Sequence, residues 1–182
     1  PPSWAFVKNP LLPAREAWRD LLRRRPRCLD WSAAEYAELE APSRYREEPP
    51  QLNTRELFRF CIGNEDDPSR YAPASNAAIR LLAGDEVATH TAPGSNFTAA
   101  FIEQTRRYRQ RLGISIGPEP GDPHGVDETL HVPCRMPPTS LHLWEHLAVK
   151  LVMNTISTAT MGCMGRIAGN WMIHVETTNK KL

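Results

Sequence analysis

The segment TSLHLWEHLAVKLVMN (139–154) contains two histidines and a glutamate at a spacing that could bind zinc. His142, Glu145 and His146 form an H-x-x-E-H string, which is the order found in inverted zinc proteases. Catalytic zinc needs a third protein ligand and an open coordination position. The only carboxylate side chain after His146 is that of Glu176, too close in sequence for the usual third ligand from another helix. We therefore predict that the string binds no metal and lies at the rim of a packing helix.

A long apolar pattern surrounds this string. No proline occurs between Ser140 and Asn170, and leucine, valine, methionine and isoleucine recur through the stretch. Such a wide apolar surface is typical of a helix that is buried on most of its circumference. We predict one long buried helix, or two helices if Gly162 and Gly165 break it. Its excess apolar surface favours a homodimer or an intramolecular pairing.

Two short clusters of hydroxyl and amide side chains precede helical patterns and could bind an anion. Backbone N–H groups at helix starts, together with serine and threonine hydroxyls, can form a phosphate site. The simpler role of such residues is to cap their own helices. We predict that the two clusters lie side by side at the carboxyl edge of a sheet, where open α/β sheets bind ligands. The predicted ligand-binding residues are Ser95, Asn96, Thr98, Thr139, Ser140 and Glu145.

The composition excludes several classes of protein. The 182 residues carry 22 lysines and arginines and 21 aspartates and glutamates, a net charge of +1. This balance argues against nucleic acid or a membrane surface as a partner. No apolar run reaches the length of about 18 residues that a membrane span needs. Four cysteines without a C-x-x-C pair indicate a reduced, cytoplasmic protein. The missing initiator methionine suggests a piece of a longer chain.

Helix and strand patterns alternate along the chain, which indicates the α/β class with a largely parallel sheet. The predicted helices cover 14–24, 32–39 and 97–112, followed by the long helix of 140–170. A capping box, Ser32 to Glu35, begins the second of these, and Gly113 marks the expected end of the third. The predicted strands are 57–62, 77–82, 87–91, 114–116 and 129–132.

The C-terminal segment KLVMNTISTATMGCMGRIAGNWMIHVETTNKKL (150–182) carries a denser signal. Its distinctive elements are Lys150-Leu-Val-x-Asn154, Ser157-Thr158, Met161, Gly165-Arg166, Gly169-Asn170, Met172 and Thr178-Asn179-x-Lys181-Leu182. In these it resembles the SIS (sugar isomerase) domains of the N-acetylmuramic acid 6-phosphate etherase and glucokinase regulatory protein group. The resemblance implies a three-layer α/β sandwich with a mostly parallel sheet of about five strands.

The resemblance also implies an organisation and a ligand. Residues 51–182 would form an SIS-like domain that binds a hexose 6-phosphate or an amino-sugar phosphate without a cofactor, and 1–50 a helical or extended lead-in. The chain resembles the second module of a two-module regulator, so its partner would be a sister module or a second copy.

Two departures from the etherase pattern affect the expected activity. Thr139 and Ser140 remain in the loop before the long helix, but the arginine and lysine of the etherases are absent there. The loop GNEDDPSR (63–70) is acidic where a glycine- and serine-rich turn is usual. The positive charge for a phosphate would then come from Arg70, Arg135 or a neighbouring module.

Three functions remain open from the sequence. The departures favour a regulatory, non-catalytic phosphosugar-binding module. The first alternative is part of an etherase-type lyase that cleaves a lactyl ether, which would need a general acid and a general base. The available carboxylates, Glu86, Glu103 and Glu145, are not paired by their spacing, so we assign no catalytic residue. The second alternative is a degenerate structural module that contacts another protein.

Overall fold

The computed structural model describes residues 5–26, 31–47 and 57–173. Two features discussed from the sequence lie outside these residues. They are the predicted domain boundary at 50/51 and the last part of the SIS-like segment, 174–182, which includes Glu176. The described helices are α1 (Ala14–Leu22), α2 (Ala33–Glu38), α3 (Ser43–Glu47), α4 (Asp85–Thr91), α5 (Asn96–Gln104) and α6 (Leu143–Cys163). The described strands are β1 (Ala77–Ala83), β2 (Gln110–Gly117), β3 (Glu128–Pro133), β4 (Ile167–Ala168) and β5 (Trp171–Met172).

The first three strands form a parallel sheet in the spatial order β1-β2-β3. Helices α4 and α5 connect β1 to β2, and a crossover loop, 118–127, connects β2 to β3. The predicted α/β class and parallel sheet are therefore confirmed. About five strands were expected in this sheet, and the described residues contribute three. The short strands β4 and β5 form a separate antiparallel pair.

The two faces of the sheet are covered by different layers because side chains alternate along each strand. Ala83, Ile114 and Ile116 form the buried core of one face, against which α6 packs. The apolar side chains that complete this core are Leu81, Val132, Cys134, Met136, Ala148, Val149, Val152 and Ile156. On the opposite face Arg80 reaches Thr98 of α5 and the crossover loop. The result is a three-layer sandwich, as predicted.

The prediction of a strand at 87–91 was wrong, because these residues form α4. Gly84 makes the sharp turn that starts the helix directly after β1, with a positive φ of 58°. Thr89 and Thr91 each donate a hydroxyl hydrogen bond to the carbonyl four residues earlier. These bonds satisfy the threonine hydroxyls inside a helix. The preference of β-branched side chains for strands therefore did not determine the structure of this segment.

The helix predicted for 97–112 is also shorter than expected. It ends at Gln104, and Gly113 lies inside β2 rather than at a helix end. A Cβ at Gly113 would lie 3.2 Å from Cγ2 of Val126 in the crossover loop. The glycine is therefore explained by the close approach of the crossover loop to the sheet.

The apolar run at 57–62 does not form the predicted strand. Its carbonyls instead receive hydrogen bonds from the N-terminal region. Trp18 Nε1 donates to the Phe60 carbonyl at 3.1 Å, and the backbone N–H of Lys8 donates to the Ile62 carbonyl at 2.9 Å. The run thus packs beside α1 as an irregular segment, while α1 and the capping box of α2 agree with the prediction.

The long helix α6 ends at Cys163, and Gly165 follows it with a φ of 67°. The prediction that it is buried on most of its circumference was wrong for the described chain. One stripe packs on the sheet, whereas Leu143 and Leu151 are 58% and 57% exposed. Among the described helices, none combines the length and the apolar character that crossing a membrane would require.

Candidate functional site

The carboxyl ends of the three parallel strands meet at one edge of the sheet. The backbone N–H of Gly84, after β1, donates to the Ile116 carbonyl at 2.9 Å. The Gly117 carbonyl, at the end of β2, accepts from the N–H of Cys134 at 3.1 Å and lies 3.0 Å from His131 Nε2. These bonds hold the strand ends together at the position where open α/β sheets bind ligands.

The first turn of α6 brings Glu145 to this edge. A Cβ at Gly84 would lie 3.1 Å from Glu145 Cγ, so the positive φ and the close contact both favour glycine there. The Glu145 side chain is 21% exposed, and its Oε1 lies 3.7 Å from His142 Nδ1. Its Oε2 is buried and has no hydrogen-bond partner among the described residues. Because buried polar atoms are normally satisfied, this oxygen is suited to accept a bond from a ligand.

The charge at this edge is mostly negative. Asp85 and Glu86 occupy the first turn of α4, directly after Gly84. Lys8 Nζ lies 3.6 Å from Glu86 Oε1, in an exposed ion pair. Carboxylates at this position favour hydroxyl and amide donors of a ligand and repel its anionic groups. Arg135 is exposed in the segment that follows the end of β3 and is the nearest arginine in sequence to that strand end.

Thr139 and Ser140 lie at the start of α6, in the same region of the chain as Glu145. Thr139 Oγ1 accepts a hydrogen bond from the Leu143 N–H at 2.8 Å, so it caps the helix. His142, which precedes the helix, has a positive φ of 49° and makes no side-chain cap of its own. The Ser140 side chain is exposed in the turn.

The other predicted cluster lies in a different layer. Ser95 caps α5, because its Oγ accepts from the Thr98 N–H at 3.4 Å, and Asn96 is the first residue of that helix. The buried Thr98 hydroxyl donates to the His90 carbonyl at 2.6 Å and accepts from Arg80 Nη1 at 3.2 Å. Arg80 lies on the sheet face opposite α6. Thr139, Ser140 and Glu145 therefore share the start of α6, whereas Thr98 lies in the opposite layer.

Over most of its length the chain is similar to N-acetylmuramic acid 6-phosphate etherases. It is 30% identical over 156 residues to the protein of that name from Gloeobacter violaceus, covering 79% of this chain and 50% of that protein. The proteins of the same name from Geobacillus thermodenitrificans and Symbiobacterium thermophilum are 27% and 29% identical over 157 and 131 residues. These matches cover 79% and 69% of this chain, and 52% and 43% of the respective proteins. The chain thus spans about half the length of the curated relatives it matches, or somewhat less.

The similarity extends well beyond the C-terminal segment 150–182, since the match to the Gloeobacter violaceus protein covers 156 residues. No family model matches the chain. No solved structure matches it either.

Arg70, one of the two arginines considered for a phosphate, is engaged elsewhere. Its guanidinium donates to the carbonyls of Cys61, Gly63 and Glu65, and its Nε lies 3.7 Å from Asp67 Oδ2. Its side chain is only 8% exposed. Arg70 therefore organises the acidic loop 63–70 and is not available to a ligand in this conformation.

Sequence reasoning missed Gly84 and Gly117 as parts of the carboxyl edge. Each glycine directly follows or ends an apolar strand, which is a pattern that could have identified them. Arg80 carried no such signal, because a single arginine inside an apolar strand gives no indication of its partners. Within 5–26, 31–47 and 57–173, no three His, Cys, Asp or Glu side chains are grouped to hold a metal ion.

Replacing Thr139 with valine should remove the α6 cap and lower the free energy of unfolding by about 1 kcal/mol. The Leu143 N–H would lose its acceptor, while the shape of the side chain would be kept. Urea denaturation measures the change, and Thr139→Ser, which retains the hydroxyl, serves as the control. Equal stability of the valine and serine variants would contradict the capping role.

Proposed function

We propose that the chain is a phosphosugar-binding module whose ligand lies at the carboxyl edge of the sheet. The observation that carries the proposal is the similarity to N-acetylmuramic acid 6-phosphate etherases over 79% of the chain. The unpartnered Glu145 Oε2 at the ends of β1 and β2 supports the same location.

In the proposed complex the sugar ring faces Glu145. The carboxylate accepts hydrogen bonds from a ring hydroxyl or from the amide N–H of an N-acetyl group. The hydroxyls of Thr139 and Ser140 contact the same ligand from the start of α6. Asp85 and Glu86 repel the phosphate, which therefore points away from α4 and is neutralised by Arg135 or by a sister module.

We favour a regulatory, non-catalytic role because the carboxylates considered from the sequence are not paired with one another. An etherase-type reaction needs a general acid and a general base within reach of one ligand. Glu86 is paired with Lys8. Glu103 lies on α5, away from the edge, and its Oε2 is 2.6 Å from Arg106 Nη2. Of the three carboxylates considered from the sequence, Glu86 and Glu103 are thus each engaged by a cation, and neither is paired with Glu145.

A lyase half remains the first alternative, because the chain spans only about half of its relatives. In that case the missing acid and base come from another part of the protein. The second alternative is a degenerate module that only contacts a partner.

We propose that the partner is a sister module or a second copy of this chain, seated on the outward face of α6. Leu143, Leu147 and Leu151 are exposed along that face at 58%, 41% and 57%. Exposed apolar patches of this kind mark interaction surfaces. The free cysteines at 61, 134 and 163 suit the reducing cytoplasm, where we place the protein.

Titration with N-acetylmuramic acid 6-phosphate and with a hexose 6-phosphate tests the proposal. We expect NMR shifts at Gly84, Gly117 and Ser140, and an affinity that Glu145→Gln lowers by about tenfold, because a charge-assisted hydrogen bond is weakened. The matched control is Glu103→Gln, which changes a carboxylate in the opposite layer and should leave the affinity unchanged.

Three outcomes separate the candidate functions. Binding without lactate release from N-acetylmuramic acid 6-phosphate supports the regulatory module, whereas lactate release by the full-length protein supports the lyase. The absence of shifts at millimolar ligand concentrations, with either sugar phosphate, would overturn phosphosugar binding at this edge.

A further inference from the structure

Arg80 is a buried cation in the middle of β1. Its residue surface is only 4% exposed. Nη1 donates to Thr98 Oγ1 at 3.2 Å and to the His124 carbonyl at 2.9 Å, and Nη2 donates to the Asp122 carbonyl at 2.6 Å. All three acceptors are uncharged, so these bonds fix the crossover loop but do not neutralise the guanidinium.

The guanidinium of Arg80 faces the Phe101 ring, with Cζ 5.9 Å from the ring centre, but it forms no ion pair with a described residue. Among the described residues no carboxylate oxygen lies within ion-pair distance of its guanidinium. The charge of Asp122 favours the cationic form, but its Oδ1 accepts from the His124 N–H at 2.7 Å. Burial lowers the pKa of Arg80, since desolvation disfavours its charged form. Arginine nevertheless remains protonated in proteins, so the buried charge persists.

Some of the hydrogen-bonding capacity of Arg80 is also unused. A guanidinium carries five N–H donors, and three hydrogen bonds are made to described residues. At least two N–H groups are therefore left for an acceptor that is not part of the described chain. Buried charges are normally paired, because an unpaired one costs several kcal/mol of solvation.

A small cavity lies directly beside Arg80, between the sheet and the crossover loop. Its volume is about 30 Å³, and its lining includes Arg80, Ser115 and Thr129 of the sheet and Pro120 and Gly121 of the crossover loop. Ser115 and Thr129 line it, and their hydroxyls have no hydrogen-bond partner among the described residues. Thr129 is exposed on β3, which leaves the cavity accessible from solvent. The space is sufficient for one or two water-sized groups and too small for a sugar phosphate.

We propose that this cavity binds a small monoanion such as chloride, bromide or nitrate. The anion accepts from the unused Arg80 N–H groups and from the hydroxyls of Ser115 and Thr129. It supplies the counter-ion that no described residue places within ion-pair distance of Arg80. It lies on the sheet face opposite α6, so this inference is independent of the phosphosugar proposal.

Crystals of the protein soaked in sodium bromide provide the direct test. We expect an anomalous bromide peak in contact with the Arg80 guanidinium and the Ser115 hydroxyl. A water molecule there, with no anomalous signal at saturating bromide, would overturn the proposal.

Thermal unfolding in solution distinguishes a built site from chance occupancy. At constant ionic strength, bromide or chloride should raise the Tm above its value in gluconate, which is too large for the cavity. In the double variant Ser115→Ala, Thr129→Val, the same rise in Tm should need an anion concentration about fivefold higher, because two hydrogen-bond donors are lost. The control Thr89→Val removes an exposed hydroxyl that bonds the Asp85 carbonyl and should change nothing.

These variants leave the hydrogen bonds from Arg80 to Thr98 and to the crossover loop intact, so a folded protein is expected in each case. An anomalous peak without anion-dependent stabilisation, or stabilisation unchanged in the double variant, means an adventitious ion only and rejects the proposal. A peak together with the fivefold weakening supports it.

Discussion

Replacing Gly63 with alanine should separate the N-terminal segment from the sheet domain and lower the free energy of unfolding by about 3 kcal/mol. A Cβ at this position would lie 2.6 Å from the carbonyl carbon of Pro13, and closer still to Ala14 N and Leu12 O. All three are backbone atoms at the start of α1. Because backbone cannot rotate away as a flexible side chain can, the clash must be relieved by moving the segments apart.

The hydrogen bonds around Gly63 would be lost together in that movement. The Asn64 N–H donates to the Leu12 carbonyl at 2.8 Å, and Glu65 Oε1 accepts from the Ala14 N–H. Ala14, whose backbone meets Gly63, is 4% exposed, and Ala17 on the same helix is 1% exposed. The loss is therefore expected to include apolar burial as well as hydrogen bonds.

Urea denaturation and limited proteolysis measure the effect of Gly63→Ala. The midpoint should fall, and cleavage between residues 5 and 26 should accelerate. Gly162→Ala is the matched control, because no atom lies within 4 Å of its added Cβ and α6 should gain from alanine in a helix. An unchanged midpoint for Gly63→Ala would show that the close approach of the two segments does not occur.

Replacing Arg80 with methionine should lower the free energy of unfolding by about 3 kcal/mol and release the crossover loop. Methionine fills a similar apolar volume but cannot donate to the carbonyls of Asp122 and His124 or to Thr98 Oγ1. Each buried acceptor left without a donor costs about 1–3 kcal/mol, partly regained when the loop opens to water. The free energy of unfolding of Arg80→Lys should lie between those of the unchanged protein and Arg80→Met, because one ammonium group cannot reach all three acceptors.

Hydrogen exchange of the crossover loop, 118–127, distinguishes a released loop from a general loss of stability. In the Arg80→Met protein the amides of Val126 and Asp127 should exchange faster relative to those of the β1–β2 pairing. The control Arg106→Met removes an exposed ion pair with Glu103, which contributes about 0–1 kcal/mol. If Arg80→Met loses no more stability than this control, the hydrogen bonds of Arg80 do not hold the crossover loop.

Local sequence signals determined several elements of this protein. The capping box from Ser32 to Glu35 acts over three residues, so its hydrogen bonds could be predicted from the sequence alone. The strands β1, β2 and β3 contain the short apolar runs at 77–82, 114–116 and 129–132 that predicted them. Their alternation with helical patterns was sufficient for the α/β class and the parallel sheet.

The sequence was ambiguous where one residue type serves two purposes. Gly113 reads as a helix end, but its position in β2 results from the contact with Val126 of the crossover loop. Threonines at 89 and 91 favour a strand by propensity, yet their hydroxyls bond within α4. In both cases a contact or a hydrogen bond absent from the local pattern determined the structure.

Only the tertiary structure could decide the composition of the candidate sites. Glu145 and Gly84 meet across 61 positions of the sequence, and Thr139 and Thr98, predicted as neighbours, lie in different layers. Arg80 and Arg70 are chemically alike in the sequence, but they are buried as clamps of two separate loops. Periodicity reports which face of an element is apolar, because it depends on the geometry of one helix or strand. It does not report which distant segment covers that face, because that depends on how the whole chain closes around its core.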